Sequence, residues 1–217
     1  MSSKKKNILA VGAHADDVEI GCGGTIACHV KRGDNVIILV LAESSYTDYK
    51  GKILRSVQEG ISEEENAAKV LGAKVINLGF TNKNVPYSQE SIEAINKVID
   101  EYNIDTIYTH WHNDTHQDHM RTTQSVFSAG RYIKNILMYE PEYPAGRSFL
   151  GFWNQYYVDI TSTFDIKMNA LKCHESQVKK YGTQFIEAVE AKARHRGYEI
   201  GAKYAECFEV LRLLGDM

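Results

Sequence analysis

The sequence predicts a Rossmann-like, doubly wound, mainly parallel α/β sheet in one domain, and three observations carry that prediction. Strand-type runs such as ILAV at 8–11 and VIILVL at 36–41 are apolar throughout, as strands covered on both faces must be. Segments of helical spacing alternate with them, the pattern of βαβ units. The chain has 217 residues, 43% of them hydrophobic, which is enough for one sizeable core. No Pro/Ser-rich linker, internal repeat or low-complexity tract divides it. The expected domain is 1–217, with residues 1–6 a flexible basic leader.

Each element has its own warrant. Residues 7–13 read as the first strand, ending at Gly12, and 24–32 as a helix stopped by Gly33. The second strand, 36–41, leads into a long polar stretch containing Gly51 and Gly60, a length that usually marks a functional or mobile loop. Ser62 and Glu65 have capping-box spacing and open a helix that Gly72 stops. Glu63 to Glu65 then complement that helix's N-terminal dipole. Strand 74–78 and an amphipathic helix over 91–102, with Ile92, Ile95, Val98 and Ile99 on one stripe, come next. Strand 105–109 runs into HWHNDTHQDH, a helix covers 117–129, and strand 136–139 precedes an aromatic loop. The tail reads as a strand at 157–160, helical segments at about 162–176 and 183–200, and a last strand near 207–213.

Composition excludes several function classes. A net charge of −3 and a pI near 6.2 supply no basic field for nucleic acid. No apolar stretch is long enough for a stable membrane anchor, and the N-terminus lacks the apolar region of a secretory signal. Cys22, Cys28, Cys173 and Cys207 show no CxxC pairing. They read as free thiols, and the expected location is cytoplasmic.

The chemistry-bearing residues gather behind two strands. His14, Asp16 and Asp17 follow the first, with Glu19 just beyond, and ligands in open α/β sheets bind at such carboxyl ends. Four of the eight histidines, His110, His112, His116 and His119, follow the fourth. His14 and Asp17 stand three apart, as do His116 and His119, so each pair can face one point. Imidazoles plus a carboxylate suit zinc, with three protein ligands and a remaining position for water. The residues alone leave open which member of Asp16/Asp17 and of His116/His119 is the ligand. The other member of each pair would serve acid–base work on the attacking water and the tetrahedral intermediate.

AHADD at 13–17 with GCGGT at 21–25 resembles the first signature of the PIG-L/LmbE-like N-deacetylases, and HQDH at 116–119 resembles their second. EENAAKVLG at 64–72, VDIT at 158–161, ALKCHESQ at 170–177 and YAECF at 204–208 follow in family order. The resemblance implies zinc-dependent removal of an N-acetyl group from an amino-sugar small molecule, with one divalent ion per chain and an assembly of several copies. By position it implies His14, Asp17 and His119 as metal ligands, Asp16 as general base, and His116 as the imidazole that stabilises the oxyanion. Asp118 would orient His116. Ala15 and Gln117 replace the family's prolines, and a family arginine falls on Gly60, with Arg55 nearby as its stand-in for substrate binding. His174 and Trp111 are further expected substrate contacts, Trp111 and Trp153 as sugar platforms.

Other readings of the same residues are weaker. Gly21, Gly23 and Gly24 could suggest a dinucleotide turn, but Asp16, Asp17 and Glu19 fill the space where a pyrophosphate would sit. His110 and His112 could line the site or only pack beneath it, and His29 and His195 read as solvated. Cys22 has no base beside it in sequence and is a poor nucleophile. The competing functions are a metal hydrolase of a non-sugar amide and a silent sugar- or metal-binding protein.

Overall fold

A computed structural model describes residues 5–142 and 146–215. The strand β1 (Asn7–Gly12) leads to α1 (Asp17–Arg32) and β2 (Asn35–Ala42). A small antiparallel hairpin, β3 (Tyr46–Thr47) and β4 (Ile53–Arg55), lies within the long polar stretch and precedes α2 (Val57–Leu71). Then come β5 (Lys74–Phe80), α3 (Gln89–Tyr102), β6 (Thr106–His110), α4 (Gln117–Ala129) and β7 (Asn135–Tyr139). The tail holds β8 (Tyr156–Asp159), α5 (Phe164–Lys172), α6 (Glu175–Tyr181), α7 (Thr183–Ile200) and β9 (Ala205–Arg212).

Seven strands form one sheet in the order β5-β2-β1-β6-β7-β9-β8. The first five are parallel, and Ile8 of β1 lies between Val36 of β2 and Thr106 of β6. β9 runs antiparallel between β7 and β8. Alternate residues of the central strands feed opposite cores, as the two-residue side-chain period requires. Ile8, Ala10, Ile38 and Val40 pack with Val18 and Ile26 of α1 and Leu71 of α2. Leu9, Val11, Ile37 and Leu39 pack with Ile95 and Val98 of α3 and Val126 of α4. The chain leaves β1 toward one side of the sheet and returns to its other side at β6. A crevice therefore opens at the carboxyl ends of these two strands.

Three expectations need correction. The second helix starts at Val57, where Ser56 and Glu59 form the capping box, and not at Ser62. Gly60 is therefore helical. A Cβ there would come within 2.1 Å of the Ser44 carbonyl oxygen, so only glycine lets α2 lie this close. Glu63 and Glu64 are then mid-helix residues with specific partners. Glu63 accepts from the backbone and hydroxyl of Ser176, and buried Glu64 accepts from Ser44 and Asn77. The segment 162–176 breaks into α5 and α6 around Cys173 and His174. His29 is not solvated: its ring bridges Asp34 Oδ2 at 2.7 Å and the Tyr108 hydroxyl at 3.0 Å. The leader falls mainly on residues outside those described; Lys6 donates its backbone N–H to Asp34.

The glycines after the first motif serve packing. α1 is kinked at Cys22, whose φ and ψ are non-helical. A Cβ on Gly21 would overlap the Tyr139 ring, and one on Gly24 would overlap Ile160. The kink frees backbone groups that the tail of the chain satisfies. Glu206 of β9 accepts from Gly24 and Thr25 N–H at 2.9 and 2.7 Å, and Lys167 of α5 donates to the Ile20 carbonyl and to Glu206.

Candidate active site

β1 ends in Gly12, and the turn to α1 places His14, Asp16 and Asp17 at the crevice. Gly12 cannot carry a side chain here, because a Cβ would meet the His14 carbonyl at 2.9 Å. Asp17, at the first turn of α1, accepts the His14 backbone N–H through Oδ2 at 2.6 Å. From the other side, β6 ends at His110, and His116 caps α4 by accepting the Asp118 backbone N–H on Nδ1 at 3.2 Å. His119 follows one turn into the helix.

These side chains converge. His14 Nδ1 lies 3.4 Å from Asp17 Oδ2, and His119 Nε2 lies 3.4 Å from Asp17 Oδ1. The His14 ring centroid is 4.9 Å from that of His116 and 5.3 Å from that of His119. Two overlapping donor groups result, one of His14, His116 and His119 and one of Asp17, His110 and His119. His110 stacks on His119 at 3.9 Å, but its Nε2 lone pair already accepts the Ala13 backbone N–H at 2.9 Å.

Outer carboxylates fix the imidazoles, as they do around metal-binding histidines in general. His14 Nε2 meets Asp118 Oδ2 at 3.1 Å, so it donates there and Nδ1 faces Asp17. His119 Nδ1 meets Asp114 Oδ2 at 2.9 Å, which leaves Nε2 for the centre. Asp118 also accepts from Lys83 and Val85 N–H, and Asp114 from His116 N–H. The Asp118 carboxylate thus orients His14, not His116 as expected from sequence; only its backbone touches His116. Sequence reasoning misses Asp114, although a carboxylate inside the HWHNDTHQDH cluster is a usable signal.

The electrostatics favour a cation. Burial disfavours charge on His14, yet hydrogen bonds with Asp118 and Asp17 and the charge of Asp16 outweigh it, raising its pKa to about 10. Burial also opposes ionisation of Asp17, but His119 and His110 beside it hold its carboxyl well below the usual range. Burial pushes His116 down to about 4, aided by the neighbouring His119 and His14. The carboxylate field that draws a proton onto His14 is one that would also draw a divalent cation in its place.

The cleft above has a volume of about 340 Å³, within the usual range for small-molecule sites. His14, Asp16, Asp17, His116 and His119 line it, together with Arg55 of β4 and Gln177 of α6. Two expected substrate contacts are placed elsewhere. Trp111 is buried with its indole N–H on Glu209, and His174 is fully buried with Nε2 3.5 Å from Glu19. Neither lines the cleft, because the partners that draw them inward are far away in sequence or on another element. Trp153 is exposed outside the cleft, and His112 and His195 lie on the surface.

A mainly parallel sheet whose switch point gathers imidazoles and carboxylates beneath a cleft is the architecture of an α/β enzyme site. A family model described as PIG-L, GlcNAc-PI de-N-acetylase, matches residues 9–130, and the chain belongs to that family. It is similar to a protein named an uncharacterized deacetylase YaiS, of Escherichia coli K12. The two are 32% identical over 184 residues, covering 81% of this chain and 94% of that protein. It is 28% identical to a diacetylchitobiose deacetylase of Thermococcus kodakarensis over 93% of this chain and 81% of that one. Among solved structures, the conserved protein TT1542 of Thermus thermophilus superposes with a TM-score of 0.83 at 23% identity, covering 97% and 96% of the two chains.

Proposed function

We propose that this N-deacetylase uses zinc to remove the acetyl group from an N-acetylated amino-sugar conjugate. The observation that carries the reading is the pair of carboxylate-oriented imidazoles, His14 on Asp118 and His119 on Asp114, turned toward Asp17 beneath a sugar-sized cleft. His14, Asp17 and His119 would hold the metal. His110 fits less well, because its Nε2 is committed to Ala13. When bound, the ion supplies Lewis-acid polarisation of the amide carbonyl and acidifies the attacking water.

This chain's own residues do the rest. Asp16 lines the cleft beside the ligands and takes the proton of the attacking water. His116 has its Nδ1 occupied by the Asp118 N–H, so as a neutral ring it carries its proton on Nε2. Through that N–H the ring hydrogen-bonds the oxyanion of the tetrahedral intermediate and keeps its proton. The proton held by Asp16 passes to the leaving amine, and acetate departs. Arg55 is buried on the cleft wall with Nε and Nη1 lacking hydrogen-bond acceptors, although Glu63 lies 3.5 Å from Nη1. It is the side chain on that wall best suited to grip a substrate oxygen.

Acetate release from a panel of N-acetyl sugars and N-acetyl non-sugar amides, with and without chelator, tests the reading. Chelator-sensitive release from the sugars is expected. Release confined to non-sugar amides would replace the substrate class, and no release from any would point to a silent binder. Elemental analysis of His14→Ala and His119→Ala should show loss of metal together with activity; full retention in either would remove that residue from the ligand set.

A further inference from the structure

The cleft's acidic and basic side chains are unequally matched. Three of its carboxylates have side-chain partners: Glu140 takes both arms of Arg196, Glu142 meets Lys192 at 2.8 Å, and Asp114 meets His119. Its lysines do not. Among the described residues, neither Lys83 nor Lys180 has a carboxylate partner. Both lie instead against the ring of Tyr46, Lys180 Nζ 3.9 Å and Lys83 Nζ 4.8 Å from its centroid. All three residues line the cleft that holds His14, Asp16 and His119. Two ammonium groups without carboxylate partners on one cleft draw an anion toward it.

The backbone at Lys83 carries the argument further. Its φ is +66°, a left-handed conformation that side chains other than glycine, asparagine and aspartate adopt at a cost. Asp118 fixes it there by accepting the Lys83 N–H at 2.8 Å. The neighbours on both sides, Asn82 and Asn84, are residues that tolerate this conformation better, yet the lysine occupies the strained position. That position sends its side chain along the cleft wall to the Thr47 carbonyl. The same Asp118 carboxylate orients His14, so the lysine's loop and the metal-ready centre share one anchor.

We infer that Lys83 and Lys180, seated on Tyr46, form an anion subsite for a carboxylate or phosphate on the group attached to the amino sugar. The subsite stands on these side chains; calling its occupant part of the substrate rests on the deacetylase reading above. Lys83 Nζ also donates to the Thr47 carbonyl and Lys180 Nζ also lies 4.5 Å from the Tyr181 ring centroid, so both cations rest on neutral groups that leave their charge uncompensated. Discrimination for charged over uncharged conjugates is therefore built into the cleft that holds the proposed catalytic groups.

Calorimetric binding to the intact chain tests this with three ligands: the methyl glycoside of N-acetylglucosamine, its carboxymethyl glycoside and its 1-phosphate. At low salt, at least one anionic ligand should bind about tenfold more tightly than the methyl glycoside, and the gap should shrink in about 0.5 M salt. The arm showing the larger preference separates carboxylate from phosphate. In Lys83→Met/Lys180→Met the preference should fall to about twofold or less. Lys180→Met alone, which leaves the Asp118-anchored loop intact, should halve its logarithm if the double variant does not fold. Equal affinity for all three ligands, or a preference that survives the substitutions, would overturn the subsite. Acetate release is measured in parallel. Charge-selective binding without any release would sink the deacetylase reading and leave the subsite, whereas release indifferent to charge would do the reverse.

Discussion

Two buried polar clusters hold α1, and they differ in how far they are satisfied. At the kink, Lys167 and Glu206 saturate one another and the freed backbone of Ile20, Gly24 and Thr25. At the crevice, Asp17 Oδ2 lies 3.2 Å from a His110 nitrogen whose lone pair is already in use, and the lone pairs of His14 and His119 turn toward the same carboxylate. Imidazole nitrogens crowded on a buried carboxylate need a proton or a metal ion between them. A closed network marks structure, and an open one marks chemistry; composition alone does not separate them, since both consist of charged residues on helices and strand ends.

Substitutions that break one cluster at a time sharpen the contrast. Asp16→Asn has the largest expected effect, lowering kcat by about 10²–10⁴-fold while metal content and thermal midpoint stay unchanged. Near-wild-type turnover would remove Asp16 as the base. Lys167→Met should leave the proposed metal ligands untouched yet lower stability by about 3–5 kcal/mol, because Glu206 becomes a buried charge without its counterion. Chemical denaturation reads this directly, and a loss below about 1 kcal/mol would mean that the backbone N–H groups suffice for Glu206.

Smaller effects are expected at Asp114, beside the crevice cluster, and at Asp34, just past the C-terminal end of α1. Asp114→Asn should weaken metal affinity about 10–100-fold, as loss of the carboxylate behind a ligating imidazole does; competition with a chromophoric chelator measures it. Asp34→Asn should cost about 1 kcal/mol at neutral pH. Burial opposes ionisation of Asp34, but hydrogen bonds from Arg32, His29 and the Lys6 backbone hold its carboxyl below the ordinary 3.8. A depressed carboxyl contributes above its unfolded value and loses that contribution as pH falls through the folded one. The difference between wild type and variant should therefore be full at pH 7 and vanish on acidification below about pH 4. A gap that persisted in acid would assign the effect to packing.

The parts of the fold that read most easily are those governed by local pattern. The helix over 117–129 is legible to the residue because the His116 cap and Gly130 mark its ends within a few positions, although its buried face is largely polar, with Thr122, Thr123 and Ser125 in it. The β1 and β2 strands are legible from their unbroken apolar runs. Long-range causes hide the rest. Gly60 looks like a loop residue because its reason, the Ser44 carbonyl, sits on another element. Trp111 and His174 look like cleft residues because Glu209 and Glu19 lie elsewhere in the chain. The lysines at Tyr46 give no sequence signal, since β3, α6 and the loop after β5 meet only in three dimensions.

The Glu206 carboxylate has a consequence for the order in which the protein matures. Every proposed metal ligand and the proposed base lie at or before residue 119, and the strands that carry them pair with one another. The carboxylate that caps the second half of α1 belongs to β9, which leaves the ribosome after all of them. A nascent chain thus displays the whole proposed ligand set before the helix bearing Asp17 is locked. Ion capture during synthesis would be loose and exchangeable, and its tightening would coincide with docking of β9.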